Sequence, residues 1–210
     1  MFTGIIEEKG YIDAITQGGK SCRLKIKGNI IFDDLKLGDS VAVNGVCLPV
    51  PKLGSNYFNA DVMAETMRRT NFYRLAPGSC VNLERAMPAN GRFGGHIVSG
   101  HIDGTGVIVS KVIEENAVLV TISADESILR YIVMKGSVAL DGISLTVAGL
   151  QRDKFTVSVI PHTASETTLL DKTVGDRINI ECDIIGKYIR RFLNENSNGI
   201  TMDFLMENGF

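Results

Sequence analysis

Apolar and polar residues alternate in short runs along this chain. The run Cys22-Arg23-Leu24-Lys25-Ile26-Lys27 puts every second side chain on one face, as do Phe155-Thr156-Val157-Ser158-Val159 and, less regularly, Val118 to Ile122. A period of two is that of a half-buried strand. Asn44-Gly45 and Asp141-Gly142 stand between strand-like runs and suit a two-residue hairpin whose central residues both take positive φ. Helical spacing is confined to short pieces around Ala64 to Arg69 and Ser127 to Val133, and to one longer stretch, 184–195. There Ile184, Ile185, Tyr188, Ile189, Phe192 and Leu193 form an apolar stripe, with Lys187, Arg190 and Arg191 on the other face.

The pattern occurs twice. Leu37 to Val50 aligns with Lys135 to Val147, and from Asn44 onward the offset of 97 holds through Phe58/Phe155, Val62/Val159, Thr66/Thr163, Thr70/Thr167 and Gly78/Gly175 to Asn82-Leu83-Glu84 over Asn179-Ile180-Glu181. Nearer the start, Gly4 pairs with Gly100 and Gly10 with Gly106 at an offset of 96. Two copies are too few for a solenoid, so two compact domains follow, 1–95 and 96–183, separated at the Pro/Gly-rich stretch Met87 to Gly95. The helix and tail at 184–210 have no counterpart after the first copy, and their apolar stripe predicts contact with the barrels or with another subunit. Many short strands between turn residues predict an all-β fold: two similar small closed Greek-key barrels in tandem, plus a C-terminal amphipathic helix.

Composition narrows the function. With 44% hydrophobic residues, 22% charged residues and a net charge of −2, the chain lacks the basic excess of a nucleic-acid or anionic-membrane binder. It has no signal-like start and no long apolar run, so neither secretion nor membrane insertion is expected. Cys22, Cys47, Cys80 and Cys182 lie far apart, which suggests reduced thiols in a cytoplasmic protein and neither a metal site nor a disulfide framework.

Five stretches then carry a resemblance: Met1-Phe2-Thr3-Gly4-Ile5, Asn44-Gly45-Val46-Cys47-Leu48, Gly94-Gly95-His96-Ile97-Val98-Ser99-Gly100-His101-Ile102-Asp103-Gly104, Asp141-Gly142-Ile143-Ser144-Leu145-Thr146-Val147 and Asn179-Ile180-Glu181-Cys182-Asp183. In this order, over essentially the whole chain, they resemble the riboflavin synthase family. The resemblance implies a cytoplasmic homotrimer of two-barrel subunits, each with a C-terminal helix. It implies a dismutation of two molecules of 6,7-dimethyl-8-ribityllumazine by four-carbon transfer, giving riboflavin and 5-amino-6-ribitylaminouracil without cofactor or metal. Two identical substrates need two similar pockets brought face to face, and the resemblance implies that they meet between the first barrel of one subunit and the second of its neighbour. The alternative is a non-catalytic lumazine- or flavin-binding protein.

Site residues follow from residue chemistry and the resemblance together. Ser144 and Thr146, two apart in a strand, share a face that Leu145 does not, so both hydroxyls can meet a ring edge; the competing reading is that they cap strand ends. Imidazole is the side chain suited in general to carrying protons near neutral pH, so His101 fits the loss of a proton from the substrate's acidic methyl group, whereas His96 reads as a hydrogen-bonded loop residue. Cys47 aligns with Ser144 and reads as a pocket residue rather than a nucleophile. Asp183, Ser40 and Lys135 match family active-site positions, against a default of solvated surface residues. Phe2 aligns with Val98 and is expected in the wall against which a ring stacks. The ligand-binding segments implied by the resemblance are Gly4-Ile5-Ile6, Cys47-Leu48-Pro49, Asp61-Val62-Met63-Ala64-Glu65-Thr66, Gly100-His101-Ile102, Ser144-Leu145-Thr146 and Ile160-Pro161-His162-Thr163-Ala164-Ser165. Glu65 corresponds to His162, so the two pockets need not be equal. Pro49 stands where the family pattern has a threonine, and it brings neither a hydroxyl nor a backbone N–H.

Overall fold

The computed structural model describes residues 1–18, 21–195 and 206; apart from Met206, the expected tail from 196 onward lies outside the described residues. In the first repeat the strands are β1 (Glu8–Gln17), β2 (Ser21–Lys27), β3 (Ser40–Val43), β4 (Val46–Pro49), β5 (Lys52–Leu53), β6 (Tyr57–Met63) and β7 (Cys80–Arg85), with helix α1 (Ala64–Arg69) after β6. The second repeat has β8 (Gly104–Glu114), β9 (Ala117–Ser123), β10 (Ser137–Leu140), β11 (Ile143–Leu150), β12 (Lys154–Val159) and β13 (Arg177–Cys182), with the short helices α2 (Glu126–Leu129) and α3 (Pro161–Glu166). The last element is helix α4 (Ile184–Glu195).

Alternation produces the strands as expected. In β2, Cys22, Leu24 and Ile26 are buried while Ser21 and Arg23 are exposed, and in β12 Phe155, Val157 and Val159 turn inward. Both hairpin turns have the anticipated conformation: φ is 44° at Asn44 and 79° at Gly45, 44° at Asp141 and 83° at Gly142.

Closure differs between the repeats. The second is a closed six-stranded barrel in the order β10-β11-β12-β9-β8-β13, whereas the first is a curled seven-stranded sheet in the order β4-β3-β7-β1-β2-β6-β5. The strand that is continuous as β11 is divided into β4 and β5, and Pro49 and Pro51 stand at the division. The Cys47 N–H points away from β3, donating to the Gly100 carbonyl. Two residues on, position 49 faces the same way, and proline has no N–H to offer β6. Only the β5 remnant, Lys52 and Leu53, pairs with Asn59 and Phe58.

Two copies in tandem suggest contact through unlike faces, but the repeats meet through like ones. The Asn44-Gly45 and Asp141-Gly142 turns abut so closely that a Cβ on Gly45 would lie 2.6 Å from the Gly142 nitrogen. Asn82 Nδ2 donates to the Asp141 carbonyl at 3.0 Å, and Asn179 Nδ2 to the Asn44 carbonyl at 2.9 Å. Phe2 and Val98 exchange backbone hydrogen bonds of 2.8 and 3.1 Å. These reciprocal contacts define an approximate two-fold axis, with Phe2, Ala42, Val98 and Ala139 as a small apolar core between two larger ones.

Helix α4 lies on the second barrel by its charged side. Lys187 pairs with Asp103 at 2.6 Å, and the Arg190 guanidinium stands 5.5 Å from the Tyr131 ring centroid. Ile185, Tyr188, Ile189, Phe192 and Leu193 remain exposed on this single chain.

Candidate functional site

Two straps of extended chain cross between the repeats. The first, residues 2–7, leaves the first repeat and lies over β11; the second, residues 98–103, leaves the second repeat and lies over β4. The Gly4 carbonyl accepts the Ser144 N–H at 2.8 Å, and the Gly100 carbonyl accepts the Cys47 N–H at 3.0 Å. Glycine is required at both crossings. Their φ values are 77° and 82°, and a Cβ would fall 2.7 Å from Ser144 Cβ and 2.4 Å from Cys47 Cβ. Ile6 packs against the second barrel's core and Ile102 against the first's. Each candidate site is therefore built from one repeat's strand and the other repeat's strap.

On the second face, Ser144 and Thr146 point outward, and Leu145 is buried. Ser144 Oγ lies 2.7 Å from His96 Nδ1. The close approach depends on Gly95, where a Cβ would sit 2.1 Å from the Thr3 carbonyl oxygen and 2.9 Å from Ser144 Cβ. Burial holds the His96 pKa below its usual value, against the opposing pull of the Asp183 and Glu181 charges. His96 Nε2 is buried without a hydrogen-bond partner. Asp183 itself caps α4, accepting the Ile185 N–H at 2.9 Å. Lys135 is exposed at φ 63°, where the first repeat has Gly38 at 90°. Among 160–165, Ile160, Pro161, His162 and Ser165 are exposed and Thr163 and Ala164 half-buried. Ile160 is the N-cap of α3, directly after β12, and the rest of the segment is α3 itself.

The first face is built alike and furnished differently. Cys47 is half-buried against the inter-repeat apolar cluster, and Pro49 is exposed opposite Ser40 of β3. Asp61 binds Arg23 at 2.7 Å, and Glu65 holds Arg68 and Arg69, all of them exposed. Met63 is exposed, while Ala64 and Thr66 are half-buried. The His101 side chain is exposed on the strap.

Several expected ligand contacts are altered by burial. Phe2 is wholly buried between the repeats and presents no ring face to a ligand. Leu48, Val62 and Leu145 point into the barrel cores, so only their backbones face the site. A cleft of about 720 Å³ beside the inter-repeat linker contains Ile5 and Ser40 but none of Cys47, His101, Ser144 or Thr146. Those four lie on outer strand faces and straps of this single chain. His96 is the residue that sequence reasoning undervalued. Its signal was available: it stands just before the second strap, between Gly95 and the Val98-Ser99-Gly100 run.

The lumazine binding domain model matches the chain twice, at residues 3–86 and 99–183. Riboflavin synthase of Bacillus subtilis (strain 168) is 52% identical over the full length of both chains, and that of Actinobacillus pleuropneumoniae 50% over the full length of both. The chain belongs to the riboflavin synthase family. Solved structures of LumP complexed with riboflavin and with 6,7-dimethyl-8-(1'-D-ribityl) lumazine share its fold, with TM-scores of 0.80 and 0.78 at 24% and 23% identity, covering 87% of this chain and 99% of theirs. No helix among the described residues is long and apolar enough to cross a membrane.

Proposed function

We propose that the chain converts two molecules of 6,7-dimethyl-8-ribityllumazine into riboflavin and 5-amino-6-ribitylaminouracil, without a cofactor, as a cytoplasmic homotrimer. The observation that carries this reading is the matched pair of composite faces, with Cys47 beneath one strap and Ser144 beneath the other. One lumazine lies on each face. The site is completed where the first barrel of one subunit meets the second barrel of its neighbour. The open apolar stripe of α4 supports a subunit contact of that kind.

In this reading Ser144 and Thr146 hold the ring edge on the second face. A depressed pKa keeps His96 neutral at pH 7, so its imidazole can accept the Ser144 hydroxyl proton. The Ser144–His96 pair is then the group positioned to take a proton from the methyl substituent of the bound lumazine. His101, Cys47, Ser40 and Asp183 border the first face or the meeting of the two, and Lys135 offers a cation at the rim of the second. Backbone groups of 61–66 and 160–165 read the pyrimidinedione edges. Adding the lumazine to purified protein without cofactor tests the reading. Growth of riboflavin absorbance is expected; tight binding without conversion would make this a binding protein instead.

A further inference from the structure

Two buried carboxylates occupy equivalent places and bind nothing but strap. Glu84 on β7 is 4% exposed and Glu181 on β13 is 1% exposed. Glu84 accepts the Thr3 N–H at 2.7 Å, the Thr3 hydroxyl at 2.9 Å and the Gly4 N–H at 3.1 Å. Glu181 accepts the Ser99 N–H at 2.6 Å, the Ser99 hydroxyl at 2.7 Å, the Gly100 N–H at 2.9 Å and the His101 N–H at 3.1 Å. A carboxylate buried this deeply is retained at a desolvation cost that its donors must offset. An apolar side chain would fill either place without that cost. The donors are consecutive backbone amides, so each carboxylate fixes both the register and the height of its strap.

The next atom along each strap lies in the other repeat's site. Glu84 holds the Gly4 N–H, and the Gly4 carbonyl meets the Ser144 amide. Glu181 holds the Gly100 N–H, and the Gly100 carbonyl meets the Cys47 amide. We propose that Glu84 and Glu181 are positioning residues that act crosswise: Glu84 of the first repeat sets the second substrate face, and Glu181 of the second repeat sets the first. Each repeat thereby holds its partner's site in shape, and neither face is complete in an isolated repeat. The proposal rests on the assignment of the two faces made above.

Amide hydrogen exchange on the full-length protein tests it. At pH 8, where the Glu84 carboxyl is ionised, Glu84→Gln is expected to speed exchange at Ser144 about tenfold or more, the effect of losing hydrogen bonds to a charged acceptor, and to leave Cys47 unchanged. Glu181→Gln should do the reverse. Thr3→Val and Ser99→Ala, which remove one donor each, should show the same crossed pattern more weakly and serve if a glutamate variant does not fold. Riboflavin titrations should lose affinity at the second face in Glu84→Gln and at the first in Glu181→Gln. A merely structural role would loosen the glutamate's own repeat or both repeats equally, and either result overturns the proposal. Failure of the face assignment would look different. Exchange would still be crossed, but Ser144→Ala would keep normal turnover.

Discussion

His96 Nδ1 lies 2.7 Å from Ser144 Oγ, at the point where the chain entering the second repeat passes beneath the first strap. The first repeat has no such pair, because Cys47 stands where the second has Ser144. The two faces are therefore chemically unequal, and the stronger proton acceptor stands on the second.

Ser144→Ala and His96→Gln should each lower single-turnover riboflavin formation by about a hundredfold or more, the range of general acid–base contributions. Stability should fall by only about 1 kcal/mol, since one hydrogen bond is lost in each. Thermal unfolding beside rapid-mixing kinetics separates the two effects. Normal turnover in either variant would remove that residue from the mechanism. His101→Ala, on an exposed side chain, should show a smaller loss.

The acid limb of the pH–rate profile should report His96. Burial lowers its pKa, so protonation should begin to cost activity below the usual histidine value of 6.5. That limb should vanish in His96→Gln. A limb unchanged by the substitution would point to another group.

Glu84 makes a separate prediction for stability. Burial pushes its carboxyl up from the ordinary 4.5 to about 7. Between those values the folded state holds a proton that the unfolded state has released, so stability falls as pH rises from about 4.5 to 7 and is level above. The total is on the order of 3 kcal/mol. In Glu84→Gln this slope should be absent, as urea titrations at several pH values would reveal; parallel curves for the two proteins would contradict it.

Pro49→Thr should supply the N–H that faces β6 and a hydroxyl on the first face. Riboflavin titration of the full-length protein should then show several-fold tighter binding at the first face and no change at the second, about what one added hydrogen bond provides. Equal affinities before and after would make Pro49 neutral for binding.

Much of the fold was legible because local rules carry it. Alternation marked β2 and β12, positive-φ turns marked Asn44-Gly45 and Asp141-Gly142, and a period near 3.6 marked α4. What could not be read was contact between residues about 80 to 140 positions apart. The crossing of the straps, the like-faced packing of the repeats and the burial of Phe2 all depend on such contacts. Alignment to the family singled out His101 by its sequence position, whereas His96 gains its partner only when Gly95 lets the chain pass beneath Ser144. Pro49 was visible as a departure, but its effect on closure needed the direction of its missing N–H.

Truncation after Asp183 removes α4 with its open apolar stripe. The shortened chain should sediment as a monomer, still bind the lumazine, and have little turnover, with residual activity rising more than linearly with protein concentration. Full activity independent of concentration would place a complete site within one chain.

Subunit mixing shows whether the two lumazines meet between neighbouring subunits. A trimer impaired at the first face, by Cys47 and His101 substitutions, and a trimer impaired at the second, by Ser144→Ala, should each be nearly inactive. If the two lumazines meet between neighbouring subunits, unfolding and refolding the two proteins together creates contacts where an intact first face meets an intact second face. Riboflavin formation should then return to a substantial fraction of the unmodified rate. Mixed assemblies no more active than either parent would contradict the account.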